Sequence, residues 1–131
     1  MKIIETGTVT SPKGFLGVGE HVGIKKEKKD LALIYSTVAA KAVGTFTQNV
    51  VKAAPVLWDK MIVENYDHAR VIAINSGVAN ACTGQEGIEN NEEFAKIVAD
   101  NFSINKEEVL ICSTGVIGKQ LPMEVIKNGV E

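Results

Sequence analysis

Val71-Ile72-Ala73-Ile74-Asn75-Ser76-Gly77-Val78-Ala79-Asn80-Ala81-Cys82-Thr83-Gly84 is the stretch on which the fold turns. Its first four residues form a continuous apolar run after Arg70, the pattern of a strand buried on both faces. From Asn75 onward, glycines and small polar residues break the pattern, and residues 75–87 read as a loop leaving a buried strand. A second copy of this grammar follows. Val109-Leu110-Ile111-Cys112 is another short buried strand, and it runs into Ser113-Thr114-Gly115-Val116-Ile117-Gly118. Between the two copies, Phe94, Ile97 and Val98 recur at helical spacing, with Glu92, Glu93, Lys96 and Asp100 outside the stripe. A helix over residues 91–101 is therefore expected, with Glu92 and Glu93 suited to the positive end of its dipole.

Working outward, residues 1–10 carry Ile3, Ile4, Thr6, Thr8, Val9 and Thr10 and predict a strand. Ser11-Pro12-Lys13-Gly14 predicts a turn. Residues 15–24, 31–35 and 42–47 predict further strands. Residues 55–66 are ambiguous between a strand with a short helix and one amphipathic helix, with helix favoured at the C-terminal end. Pro122 predicts the opening of a last helix. Strands followed by strand–loop–helix–strand–loop–helix argue α/β or α+β in a single unit over residues 1–131.

Fourteen basic and sixteen acidic residues leave a formal charge of -2. That balance gives no global attraction to nucleic acid or an anionic membrane. The run Lys25-Lys26-Glu27-Lys28-Lys29 reads as a solvated turn ahead of a phosphate patch. The amino terminus lacks the apolar run of a signal peptide and no segment approaches a membrane span, so a cytoplasmic address is expected. Cys82 and Cys112 form no Cys-x-x-Cys pair and stand among small or apolar residues, which predicts buried packing thiols. Neither His21 nor His68 shows a tie to them.

Nucleotide motifs fail on inspection. A P-loop ending at Gly118-Lys119 would need glycine where Ser113 stands and Ser or Thr where Gln120 stands. Gly17-Val18-Gly19-Glu20-His21-Val22-Gly23 is one residue too long for a dinucleotide fingerprint. The acids at Glu86, Glu89, Glu92, Glu93, Glu107 and Glu108 read as helix starts and solvated faces, and no metal motif appears, so neither metal nor bound cofactor is expected. What the chemistry does allow is a Thr114-Gly115 pair that aims a hydroxyl and a backbone N–H at one point. Two rigid donors of that kind stabilise an oxyanion. The alternative makes both loops tight turns satisfied by their own Asn, Ser and Thr side chains. Pattern alone leaves the two readings open.

The same two loops carry a resemblance. Residues 75–84 resemble the Asn-x-x-x-Ala-Asn-Ala-Cys-Thr-Gly signature of the ornithine acetyltransferase (glutamate N-acetyltransferase) family. Ser113-Thr114-Gly115-Val116-Ile117-Gly118 with Leu121-Pro122-Met123 is similar to its Ser-Thr-Gly-Val-Ile-Gly…Leu-Pro motif. Pro12-Lys13-Gly14-Phe15, Asp30-Leu31 and Ala53-Ala54-Pro55-Val56 match family segments in the same order. The resemblance implies an α/β sandwich related to N-terminal-nucleophile enzymes. It implies self-cleavage of a precursor before a threonine into α and β chains that form heterodimers and pair further. It also implies an acetyl-threonine intermediate that carries acetyl from N-acetylornithine to glutamate, with acetyl-CoA a second candidate donor. The family's oxyanion hole falls on Thr114 and Gly115.

In that family the α chain continues beyond the Leu-Pro-Met helix, so the nucleophile and most substrate contacts are expected outside residues 1–131, on other sequence or a complementary β chain. Two other classes stay in view. One is a catalytically silent module binding a small acidic metabolite or a partner through the same loops. The other is a self-sufficient hydrolase using Ser76, Ser113 or Thr83, for which no positioned base is visible.

Overall fold

The computed structural model describes residues 3–131. Four strands, β1 (Phe15–Glu20), β2 (Leu31–Lys41), β3 (His68–Val78) and β4 (Val109–Val116), form one sheet in the order β1-β2-β3-β4. The first two pairings are antiparallel and the last is parallel. The helices are α1 (Ala54–Asn65), α2 (Gly84–Phe102) and α3 (Met123–Val130). Parallel neighbours cannot be joined by a tight turn, so β3 and β4 require a crossover, and α2 supplies it. This is the expected mixed α/β class.

The core lies between the helices and one face of the sheet. Leu31 and Leu33 of β2, Val71 and Ala73 of β3, and Val109 and Ile111 of β4 alternate onto that face, against Phe94, Ala95, Val98 and Ala99 of α2 and Ile126 of α3. Phe94 has no exposed surface, a burial worth about 2–3 kcal/mol. The opposite face presents Ile34, Ile72 and Leu110, half-exposed, around a shallow hollow of about 260 Å³. The strands of the deciding stretch are thus buried on one face only, and the expectation of burial on both is corrected. No helix among the described residues is long and apolar enough to cross a membrane.

Several expectations are corrected by the chain's course. Residues 3–10 form turns and coil rather than a strand, tied by Gly7 N–H to the Ile4 carbonyl and by Thr8 N–H to Ser11 Oγ; Met1 and Lys2 of that expected strand lie outside the described residues. Residues 42–47 are irregular, with Val43 almost fully exposed. A strand is stabilised by a partner, and β1 already occupies the outer edge of β2. The 55–66 segment is one helix, with Pro55 in its first turn. The α2 helix begins seven residues before the expected start, at Gly84. It ends at Phe102, one residue past the expected end, with Ser103 in the left-handed conformation (φ 54°) and Ile104 N–H reaching back to the Ala99 carbonyl.

The turn between β1 and β2 is built around Asp30, whose buried carboxylate accepts from Val22 N–H (2.7 Å), Lys25 N–H (2.8 Å) and His21 Nδ1 (3.2 Å). Burial alone would raise its pKa, but these donors outweigh that and hold it below the ordinary value. The expected solvated lysine turn is correct for Lys26, Lys28 and Lys29, which are exposed. Lys25 is drawn partly inward.

An open β4 edge would expose unpaired backbone groups. Helix α1 covers part of it with side chains: Trp58 Nε1 donates to the Val109 carbonyl (2.9 Å), and Ile111 N–H donates to Asp59 Oδ1 (2.8 Å). Burial pushes the Asp59 carboxyl up to about 6, against the lowering effect of the Ile111 bond. Its folded pKa lies above its unfolded value, so the folded state binds this proton more tightly and loses stability as pH rises from about 4 through about 6. An amide in place of the carboxylate would keep the carbonyl acceptor and remove the buried charge. We expect Asp59→Asn to gain about 1–2 kcal/mol at pH 7, after discounting for the solvent that reaches this residue. The variant should also flatten the pH 4–6 dependence seen in urea unfolding of the parent. Loss of stability at pH 7 would mean the charge itself is used.

Candidate functional site

The two loops of the sequence reading are not loops at their starts. Pairing continues through them: Asn75 lies opposite Ser113, Ser76 opposite Thr114 and Gly77 opposite Gly115. Two motifs almost forty residues apart in sequence are therefore direct register partners. Pattern reading ends the strands too early because it treats Ser, Gly and Asn as strand breakers. Here the parallel partner satisfies the backbone, and glycine is a steric requirement.

That requirement is specific. Gly77 (φ 115°) and Gly115 (φ 137°) both adopt backbone conformations that side chains rarely take. A Cβ on Gly115 would stand 2.2 Å from the Gly77 carbonyl carbon and 2.5 Å from Val78 N. On Gly77 it would stand 2.9 Å from Lys25 Cγ. The strand ends thus cross closer than any other residue allows, and a register shift follows between Gly77 and Val78.

Beyond the crossing the segments stay joined. Ala79 N–H donates to the Val116 carbonyl (3.0 Å) and Gly118 N–H to the Ala81 carbonyl (2.8 Å). Gln120 Nε2 donates to the Thr83 carbonyl (2.9 Å). Asn80, buried and left-handed at φ 48°, donates from Nδ2 to the Gly87 carbonyl (2.8 Å) and accepts from Thr83 Oγ1 (2.8 Å). These bonds offset the backbone strain at Asn80. They also explain why α2 starts early: a Cβ at Gly87 would meet Thr83 Oγ1 at 1.9 Å, so the helix admits glycine to seat the loop.

Thr114 is exposed, on the sheet face opposite the helices, because it alternates with the core-facing Ile111 and Ser113 positions. None of the side-chain hydrogen bonds found among the described residues uses its hydroxyl. Val109 O and Ile111 N point to the outer edge of β4, and the same alternation sends the Gly115 N–H to that edge. Hydroxyl and N–H therefore flank one corner of the sheet. Ser76, beside Thr114, is half-buried, and its N–H donates to the Asp30 carbonyl (2.8 Å), which anchors the β1–β2 turn to the site.

The expected buried packing of the cysteines is corrected, since Cys82 and Cys112 are both exposed. Cys82 sits in the left-handed turn before α2 (φ 56°), and Cys112 alternates onto the open sheet face. Desolvation first, and then the charge of Asp59, raise the Cys112 thiol pKa, which leaves little thiolate. The histidines are engaged elsewhere: His21 with Asp30, and His68 with Asp67 (2.7 Å) and Glu108 (3.3 Å). Sequence reasoning misses Asn91 and the role of Asn80. Both are buried polar residues, visible in the sequence only as asparagines flanking a helix start.

The chain is similar in sequence to proteins of known identity. The chain is 52% identical over 131 residues to the arginine biosynthesis bifunctional protein ArgJ of Caldanaerobacter subterraneus, covering all of this chain and 32% of that protein. It is 51% identical over 124 residues to the ArgJ protein of Lactococcus lactis, covering 95% of this chain and 31% of that protein. The chain thus spans about a third of the length of the curated relatives it matches. The crystal structure of the Bacillus halodurans ArgJ protein has the same fold, with TM-score 0.93 at 42% identity over 97% of this chain and 66% of that one. So does the ornithine acetyltransferase of Mycobacterium tuberculosis solved in complex with ornithine, with TM-score 0.89 at 42% identity over 93% of this chain and 66% of that one. Residues 17–131 match the ArgJ family model, and with that match the chain belongs to the ArgJ family.

Proposed function

We propose that this chain corresponds to the amino-terminal third of an ornithine acetyltransferase of arginine biosynthesis and supplies its oxyanion-stabilising donors. The observation that carries the reading is the pairing of Ser76 with Thr114 and Gly77 with Gly115, which leaves an exposed Thr114 hydroxyl and an edge-directed Gly115 N–H at one corner. The resemblance of residues 75–84 and 113–118 to the family signature, and the family match, support reading that corner as an oxyanion hole.

In the proposed reaction a threonine hydroxyl, at the amino terminus of a complementary β chain or elsewhere outside residues 1–131, attacks the acetyl carbonyl of N-acetylornithine. The carbonyl oxygen takes up the negative charge of the tetrahedral intermediate and is stabilised by the Thr114 hydroxyl and Gly115 N–H. The C–N bond breaks, ornithine leaves with a proton, and acetyl remains on the threonine. The amino group of glutamate then attacks, a second oxyanion forms in the same place, and on its collapse the bond from the acetyl carbon to the threonine oxygen breaks, the proton lost by the glutamate nitrogen returns to that oxygen, and acetylglutamate leaves. Acetyl-CoA would enter as donor by the same first step, with the thiol of coenzyme A leaving. Both donors are fixed by backbone pairing rather than by mobile side chains, so little reorganisation is needed as charge develops. Assembly into αβ heterodimers that pair further, in the cytoplasm, belongs to the same proposal. The open sheet face around Ile34, Ile72 and Leu110 is where the remaining sandwich layer would lie.

Two outcomes test it. The 131-residue chain alone should not transfer acetyl from N-acetylornithine to glutamate, because donors without a nucleophile stabilise nothing that forms; measurable transfer in the absence of any other polypeptide would sink the proposal. In the complete enzyme, Thr114→Ala should lower kcat by about 10²-fold or more with KM little changed, since the donor acts on charge present only in the transition state. Its melting temperature should hold, given that the hydroxyl is exposed. Gly115 cannot serve as the parallel test, because any side chain there collides with Gly77. Full kcat in Thr114→Ala with a lowered melting temperature would make Thr114 scaffold.

A further inference from the structure

The layer between α2 and the ends of β3 and β4 holds an unusual set of polar atoms. Asn75 Oδ1, both Asn91 side-chain atoms and Ser113 Oγ are buried without a hydrogen-bond partner in the protein. Asn75 and Asn91 are essentially without solvent exposure. Each buried polar atom left unmatched shifts the folding equilibrium by about tenfold, so a group of four in one region needs an account.

Their positions coincide. Asn75 and Ser113 are register partners on neighbouring strands, and both alternate onto the core face with Val71, Ala73, Val109 and Ile111. Asn91 lies on the core-facing stripe of α2 with Gly87, Phe94, Ala95 and Val98. The Phe102 ring at the far end of α2 stacks on Tyr35, at 4.7 Å, and Tyr35 pairs with Val71. From that level, eleven helical residues back to Asn91 rise about 16 Å. Four strand residues from Val71 to Asn75 rise about 13 Å. The other end agrees, since Gly87, one turn before Asn91, is bonded to Asn80 just past the strand. Asn91 therefore faces the Asn75–Ser113 rung from across the helix–sheet gap.

The chemistry of the set is complementary. Asn91 Nδ2 offers two donors, Asn75 Oδ1 and Asn91 Oδ1 accept, and the Ser113 hydroxyl does either. The Asn75 orientation is fixed by its Nδ2 bond to the Val78 carbonyl (2.9 Å), so its Oδ1 remains the acceptor. None of the four reaches another directly. A molecule that donates twice and accepts twice matches them, and water is that molecule. We infer that Asn91, Asn75 and Ser113 enclose an ordered structural water that ties α2 to the paired strand ends, making these three positioning residues for the adjoining Thr114-Gly115 corner. The positioning half rests on the proposed oxyanion role; the water does not.

The sign of one substitution separates the alternatives. Leucine keeps asparagine's branching at Cγ but is bulkier, so Asn91→Ala is measured beside it to separate crowding from loss of the amide. If Asn91 is an orphan in a dry core, Asn91→Leu removes an unmatched polar group and should raise the melting temperature. If it binds the water, Asn91→Leu strands Asn75 and Ser113, and the unfolding equilibrium constant should rise about tenfold or more. Ser113→Ala should act in the same direction, and the double variant should cost less than the product of the two single effects, because both break one network. A high-resolution structure of the protein in its complete assembled form should show a water within hydrogen-bond distance of Ser113 Oγ and the Asn91 amide. In that assembly Asn91→Leu should lower kcat several-fold with KM unchanged, through displacement of a donor it does not touch. A stabilised Asn91→Leu, or a direct Asn91–Ser113 bond in the structure, overturns the water; unchanged kcat alongside the destabilisation overturns the positioning. If Thr114→Ala keeps full turnover while the stability pattern holds, the oxyanion reading fails and the water stands.

Discussion

Two backbones meeting at Gly77 and Gly115 set the geometry of everything near the site. A parallel strand pair cannot normally continue through Asn-Ser-Gly and Ser-Thr-Gly without side chains competing for backbone bonds. Here the glycines let the strand ends approach until a single methyl group would overlap the opposite carbonyl. That approach extends the ladder to Val78 and Val116. It forces the bulge that follows and brings the segments beyond it into bonding range, where Ala79, Ala81, Val116 and Gly118 join. The early start of α2 is a consequence, because the loop it leaves must fold back over Gly87. Even the β1–β2 turn leans on this point, through Ser76 N–H to the Asp30 carbonyl and through the Lys25 stem against Gly77.

The sheet is finished differently on its two sides. Its helix face is a closed core, and its β4 edge is stopped over two residues by the Trp58 and Asp59 side chains in place of a fifth strand. The burial of Asp59 raises its pKa and costs stability near neutral pH, yet its acceptor satisfies a backbone donor that would otherwise be orphaned. Past Ile111 no α1 side chain continues the capping, and the exposed stretch Thr114-Gly115-Val116 begins. The other sheet face carries Ile34, Ile72 and Leu110 without a helical cover. The uncovered hollow and the Trp58–Asp59 cap lie beside the start of β4, and the Thr114-Gly115 corner lies at its far end.

How far the sequence could be read depended on whether an element was specified locally. Helix α2 was legible over residues 91–101 because Phe94, Ile97 and Val98 mark one face, and illegible over 84–90 because Gly84 serves a left-handed start (φ 64°) and Gly87 answers to Asn80 and Thr83, not to helix propensity. Strands β3 and β4 were legible where β-branched residues run together and lost where glycine begins. Residues 3–10 and 42–47 have strand composition but find no partner edge, and composition cannot report that. The cysteines look like packing residues from their neighbours, yet one alternates onto the open face and the other sits in a left-handed turn. Thr114 and Gly115 stand out from a chemical argument and a resemblance together. Their pairing with Ser76 and Gly77 comes only from register, a non-local property.

The steric need for Gly115 bears on how its function is judged. A glycine required by a close crossing would be present whether or not its N–H met a substrate, so its identity is no evidence for catalysis. The crossing nevertheless has a chemical consequence. It locks the Thr114–Gly115 peptide between a paired residue and a positive-φ glycine, which fixes the direction of the N–H without any side chain to hold it. Alternation then sends that N–H to the sheet edge while the Thr114 hydroxyl stands on the open face. A donor pair built this way stays in place in the absence of ligand, and preorganisation is what makes such donors effective on a developing charge. Scaffold and site are therefore compatible descriptions of Gly115, and the catalytic reading turns on Thr114, whose exposed hydroxyl takes part in none of the side-chain hydrogen bonds among the described residues.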